Sequence, residues 1–540
     1  MATGYARIRG RCQGSDRFFA HCGVGNDLDA MKGLRMFDKH TRMSTKPRRT
    51  RAVLALALSA ALISYPVASF AAPESRGGLA SASTVPAATL TEINVPGTTP
   101  MSATTVDLAA AGYTAREFYA EGLANRYNGA TTGALTTATV LDSGNAYRTR
   151  VMVRYPSPGK FNGTLAVEWT NVTIGVDFEF ATAEAWEYLL RQGYAVAIVS
   201  AQRVGVERLK TWSPARYPGL TVDVNKCNPS GTPVPAGTSL CAGDPLSYDI
   251  FGQITQALIK NAGGANAPMP GLQVHDAIAI GQSQSAGRLA VYYNTIQPLH
   301  QVFDGIVFWD RSGQLRDDLT VPAISVESEG LGGSFGGAAW TTSTYTRKWD
   351  VAGATHASLY GAEYIEAISA RDQSITQFDG VPKTFFAWIN STPVPGGTAC
   401  VKLPPFTTVD SGLVTSKAID SVRNWYKDGT PAAPSVSFVT TPAGTLVRDA
   451  DGKVEGGIRL AQYLAPIADQ GALNGTSFPC NVSGWHRYYT QAELKAMYHD
   501  HGGYVSKVSN IMTALDDEGY VLDYDAQAAI RDAARSDVGK

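Results

Sequence analysis

Ile-Gly-Gln-Ser-Gln-Ser-Ala-Gly-Arg, residues 280–288, follows the apolar run 276–280 and precedes a helix-like segment, 288–293. The order is strand, tight Gly/Ser turn, helix. Such a turn lifts a serine hydroxyl above the carboxyl edge of a sheet and aims the next backbone N–H at the place where an oxyanion develops. Two frames fit the pattern Gly-x-Ser-x-Gly imperfectly. With Ser283 at the centre, Ser285 stands at the second glycine position; with Ser285 at the centre, Ser283 stands at the first.

The rest of the chain bounds what such a serine serves. At 540 residues, with 44% hydrophobic and 17% charged residues and a net charge of −1, the composition is globular and gives no electrostatic basis for nucleic-acid binding. Gly 54 and Pro 28 predict many loops.

Near the N-terminus, the basic segment 46–51, the apolar run 52–63 and the small-residue stretch 67–72 have the layout of a secretory signal with cleavage near Ala71. The apolar run is too short to span a bilayer as a helix. Because such signals begin close to the initiator, Met43 is the expected start, with residues 1–42 an upstream extension or mis-start and 43–71 the signal. Without Cys12 and Cys22 of that region, four cysteines remain: Cys227, Cys241, Cys400 and Cys480. An even number in an exported chain predicts disulfides, and the expected pairs are Cys227 with Cys241 and Cys400 with Cys480. None falls in a Cys-x-x-Cys spacing, so no metal site is expected.

Residues 72–90, rich in Ala, Ser, Thr and Pro, read as a flexible lead-in, with the fold from 91 to 540. Strands are expected at 150–155, 164–169, 194–200, 276–280, 305–308 and 323–326, and helices at 182–192 and 247–261. Short apolar runs alternating with helices predict an α/β architecture: a mostly parallel sheet covered on both faces. Two stretches, 207–246 and 392–480, break the alternation and read as lid-like insertions, the second with one helix at 416–428. Amphipathic helices are expected at 490–499, 504–518 and 523–536.

A serine hydroxyl is a poor nucleophile near neutral pH and needs an imidazole and an orienting acid. In α/β-hydrolases these follow the serine in the order acid, then histidine. Of the later histidines, His356 is the best placed, because a strand-like run, 348–355, breaks there into a small-residue loop. The acid is expected just after the strand 321–326, where Glu327 and Glu329 compete; Glu329, past the strand end, is preferred. The oxyanion donors are expected at Gln284 and, after the strand 164–169, at Asn171 and Val172.

Together, 161–169 with Asn171 and Val172, 199–205, 215–217, 247–250, 283–289, and 351–353 with His356 resemble the bacterial exported "alpha/beta hydrolase domain" proteins. The likeness continues through 449–452, 456–459 and the C-terminal helices. The resemblance implies one elaborated α/β-hydrolase domain over roughly residues 90–540. It also implies Ser283 as the nucleophile, since cutinases carry a similar elbow in which glutamine follows the reactive serine. The family's Ser/Thr-Glu pair after the late strand matches Ser328-Glu329 and favours Glu329. The expected activity is a secreted serine carboxylic-ester hydrolase working through an acyl-enzyme on a small-molecule or polymeric ester. No metal or organic cofactor is required, and neither nucleic acid nor stable membrane insertion is expected. Two other readings remain open: an acyltransferase using the same residues, and a non-catalytic binding protein on the same fold.

Overall fold

A computed structural model describes residues 83–224, 244–260, 267–311, 313–335, 343–391 and 400–540. The segment read as a signal and the Cys227–Cys241 pair lie outside the described residues. The described residues all fall within one compact unit.

Its centre is a nine-stranded sheet in the order β1-β2-β3-β5-β4-β6-β7-β8-β9. The strands are β1 (Thr89–Glu92), β2 (Tyr113–Asn128), β3 (Thr139–Pro156), β4 (Thr164–Trp169), β5 (Ala195–Val199), β6 (Asp276–Gln282), β7 (Gly305–Trp309), β8 (Ala323–Ser328) and β9 (Thr346–Val351). The long β2–β3 ribbon is antiparallel, and β3 pairs antiparallel with β5. From β5 to β9 every pairing is parallel. Ala-Val-Ala-Ile-Val in β5 and Thr-Leu-Ala-Val-Glu-Trp in β4 are buried throughout. Continuous burial of this kind is what helices on both faces of a parallel sheet demand.

One covering helix, Gly412–Asp428, sits so close to β7 that a Cβ on Gly305 would fall 2.1 Å from a methyl of Val422. Only glycine permits that approach. On the other end of the sheet, Val436 and Ile458 form parallel bridges with Trp349 and Val351 of β9. Residues 392–480 therefore depart from the expected lid: much of the described part packs on the sheet and extends its edge. In the other expected insertion, Tyr217, Leu220, Val222 and Val224 are buried in the core. The expected lead-in, 72–90, overlaps packed chain. Val85 and Ala88 are buried, and the Ser83 hydroxyl donates to the His300 carbonyl at 2.7 Å, so ordered packing begins ahead of β1.

The three C-terminal helices, Gln491–Tyr498, His501–Asp517 and Asp523–Arg535, fall where the apolar spacing predicts. The first starts with a capping box in which Thr490 and Glu493 satisfy each other's backbone N–H groups. Among the described residues no helix is long and apolar enough to cross a membrane.

Candidate active site

In a sheet whose strand order runs β5-β4-β6, the connections diverge at β4 and β6 and leave a crevice beyond their carboxyl ends, the usual binding place in open α/β sheets.

β6 ends at Gln282 and the helix Gln284–Val291 begins two residues later, with Ser283 alone in the turn at φ 57°, ψ −119°. Left-handed backbone at a serine is strained, and here it projects the hydroxyl clear of the sheet. Gly281 eases the turn, because a Cβ there would crowd the Ser285 carbonyl carbon at 3.3 Å. Ser285, at the second glycine position, faces inward and is fully buried. Its hydroxyl accepts from the Gln282 N–H at 3.1 Å and donates to the Gln282 carbonyl at 2.8 Å, locking the turn from inside. The two frames are thus physically distinct, with Ser283 facing the crevice and Ser285 bracing it.

The Ser283 Oγ lies 2.6 Å from Nε2 of His356, and His356 Nδ1 lies 2.6 Å from Oδ2 of Asp310. Asp310 follows β7 directly and sits at φ 52°. Its carboxylate also accepts the Ser328 hydroxyl at 2.5 Å and the Ser328 backbone N–H. The carboxylate against the imidazole is therefore neither of the glutamates expected from the sequence. Glu329 lies on the far side of the histidine loop, where it accepts the Gly353 N–H at 2.8 Å and pairs with Arg448 at 2.7 Å. Glu327 is buried in β8 and accepts the Ser325 hydroxyl; burial pushes its carboxyl up to about 8, against the pull of Arg311. The expectation failed because it assigned the acid to the strand after 321. The sequence signal that could have found Asp310 is an aspartate immediately past the apolar run 305–309.

His356 is fixed through its backbone as well as its ring. Its carbonyl accepts from the Gln282 side chain at 2.9 Å and from the Trp309 indole at 3.1 Å, while its N–H donates to Val482 at 3.0 Å. Val482 lies in the short helix Cys480–Ser483, and Cys480 is disulfide-bonded to Cys400, as expected for that pair.

The oxyanion expectations divide. Gln284 opens the helix after Ser283, so its N–H belongs to the unsatisfied first turn. The Asn171 N–H, by contrast, is spent on the Phe178 carbonyl at 2.9 Å, which removes it as a donor. Its side chain instead ties the loop to the elbow: Nδ2 donates to the Gln282 carbonyl at 3.0 Å and to Oε1 at 2.9 Å, and Oδ1 accepts from Thr173 at 2.8 Å. Val172 sits beside it, buried, on the same loop.

Glu168 of β4 belongs to the scaffold. Its two oxygens accept the N–H groups of Ala181 and Thr182 at the start of the helix Phe180–Arg191. Burial, reinforced by Glu179, raises its carboxyl to about 8.

A cleft of about 460 Å³, measured out to its mouth, opens over Ser283 and His356. Its walls include Phe180, Phe385, Trp388, Phe406, Phe478 and Val482. Phe406, Phe478 and Val482 belong to the second expected insertion or its border, so that stretch does line the site; none of the wall comes from 207–224.

No curated protein matches the chain significantly. Among solved structures, a proposed acetyl xylan esterase from Bacteroides fragilis is similar at 9% identity and a TM-score of 0.22, over 42% of this chain and 48% of that one. The chain thus spans about half the length of that structure. The model of the family described as "alpha/beta hydrolase domain" matches residues 83–531, and the chain belongs to that family.

Proposed function

We propose that the protein is a serine hydrolase of carboxylic esters. The observation that carries this reading is the unbroken chain Ser283 Oγ, His356 and Asp310, with both links at 2.6 Å. His356 takes the proton as Ser283 attacks the ester carbonyl, and Asp310 holds the ring so that Nε2 is the free base. The N–H groups of Gln284 and Val172 receive the charge that builds on the carbonyl oxygen. His356 then protonates the leaving alcohol, and water enters from the open cleft to release the acid by the same steps in reverse.

We take the protein to be exported, on the signal-like layout of residues 46–72 and on the Cys400–Cys480 disulfide, since such bonds persist in oxidising compartments. Turnover of methyl butyrate by Ser283→Ala tests the catalytic reading. A fall of at least about 10³-fold is expected from loss of the nucleophile; retained turnover overturns it.

A further inference from the structure

Three aromatic rings of the cleft wall stand nearly parallel. Trp388 and Phe385 are 10° apart in plane, and Phe385 and Phe406 are 25° apart. Phe478 closes edge-on against Trp388 at 64°. The stack continues outward to Phe378, inclined 16° to Trp388. Phe378 is 46% exposed and held at φ 78°, a conformation unfavourable for a bulky side chain. An exposed ring held in strained backbone at the head of an aromatic wall points to a surface kept for a ligand.

The polar side chains of the wall are already engaged. Asn171 and Gln282 bond each other, and Gln282 also holds the His356 carbonyl. The Ser483 hydroxyl donates to the Pro479 carbonyl at 2.7 Å. Among the described lining residues outside the triad, only the Thr173 hydroxyl and the Trp388 indole N–H are side-chain polar groups without a protein partner. Among the described residues no Asp, Glu, Lys or Arg lines the cleft. A sugar ester presents a dense set of hydroxyls that such a wall would strip of water without replacement, and a charged ester would find no counter-ion.

We propose that the site selects neutral esters carrying a planar aromatic group, with at most one or two polar substituents, the ring packing against the wall formed by Phe385, Trp388, Phe406 and Phe478. The inference rests on the serine-hydrolase reading above and assigns that site its substrate class. A wall of aromatic rings favours a flat ring over a branched aliphatic group of equal size, because aromatic contact adds to area burial.

The test is a pH-stat panel on the full protein. One arm varies the acid (methyl 3-phenylpropanoate against methyl butyrate), one the alcohol (2-phenylethyl acetate against ethyl acetate), and one offers acetylated xylose. A preference of about tenfold or more in kcat/KM for the phenyl ester in either of the first two arms is expected, in the range that apolar pockets achieve. Phe385→Ala should cut that ratio below about threefold. As a measurement independent of any variant, 2-phenylethylboronic acid should inhibit the wild-type protein at least about tenfold more tightly than butylboronic acid. Equal rates for phenyl and aliphatic esters, or acetylated xylose as the best substrate, overturn the substrate class while leaving the hydrolase reading intact. Loss of all turnover, together with no fluorophosphonate labelling of Ser283, overturns both.

Discussion

Asp310 meets His356 across 2.6 Å from the end of β7, while Glu329, one strand further along, turns its carboxylate to Gly353 and Arg448 on the other side of the same loop. Two carboxylates thus hold one histidine loop, one through the ring and one through the backbone. Their substitutions should differ in kind. Asp310→Asn should lower kcat by about 10³- to 10⁴-fold with a smaller effect on KM, because the imidazole loses the partner that fixes its tautomer. Glu329→Gln should cost less than about tenfold, since the neutral side chain still accepts from Gly353. Steady-state kinetics on methyl butyrate decide this. A larger loss for Glu329→Gln would return the role of acid to the residue expected from the sequence.

Asn171 joins the loop carrying Val172 to the last residue of β6. Asn171→Ala should free that loop and lower kcat roughly 10- to 100-fold, short of the loss from deleting an oxyanion donor outright. It should also destabilise the fold by about 1–3 kcal/mol by leaving the Thr173 N–H and the Gln282 Oε1 unpaired. Chemical denaturation alongside kinetics checks both. Unchanged kcat in a destabilised variant would show that the brace serves the fold alone.

The Cys400–Cys480 bond anchors the turn whose Val482 carbonyl receives the His356 N–H and whose neighbour Phe478 walls the cleft. With the cysteines 80 residues apart, losing the bond should cost about 2–4 kcal/mol. The double variant Cys400→Ser, Cys480→Ser should therefore unfold at lower denaturant and, while still folded, show both a lower kcat and a higher KM. A change in stability with unaltered kinetics would separate the disulfide from the site.

Glu168 supplies a pH-dependent stability. Its carboxyl is raised to about 8 in the fold, chiefly by burial, so the folded state holds a proton that the unfolded state releases near 4.5. The folded state binds more protons between those values. Stability from this group is therefore complete below about pH 4.5, declines as pH rises, and levels off above about 8, with a slope of up to roughly 1.4 kcal/mol per pH unit. Glu168→Gln cannot titrate, so the stability gap between wild type and variant should narrow from pH 5 to pH 8. A gap that stays constant would contradict a proton on Glu168.

How far the sequence discloses the protein follows from the range of the forces involved. The strands β4 to β8 were legible because each is a short apolar run bounded by turn residues, and the elbow because Gly281 and Ser283 carry their geometry locally. β2 escaped because charged residues interrupt its apolar pattern, as at Arg116, Glu121 and Arg126. The pairing of Asp310 with His356 is a matter of which strand end reaches the ring across the sheet; its place just past the apolar run 305–309 marks Asp310 as a candidate but does not decide it against Glu329. The commitment of the Asn171 N–H to Phe178 likewise arises from how one loop closes on itself.

The most direct test of the central claim is peptide mass spectrometry after treating the folded protein with a fluorophosphonate. The reactive serine should carry the adduct, and Ser283 should be that residue, with labelling abolished in Ser283→Ala and strongly slowed in His356→Ala. An adduct on Ser285, or ester hydrolysis by a protein that takes no label on Ser283, would contradict the account.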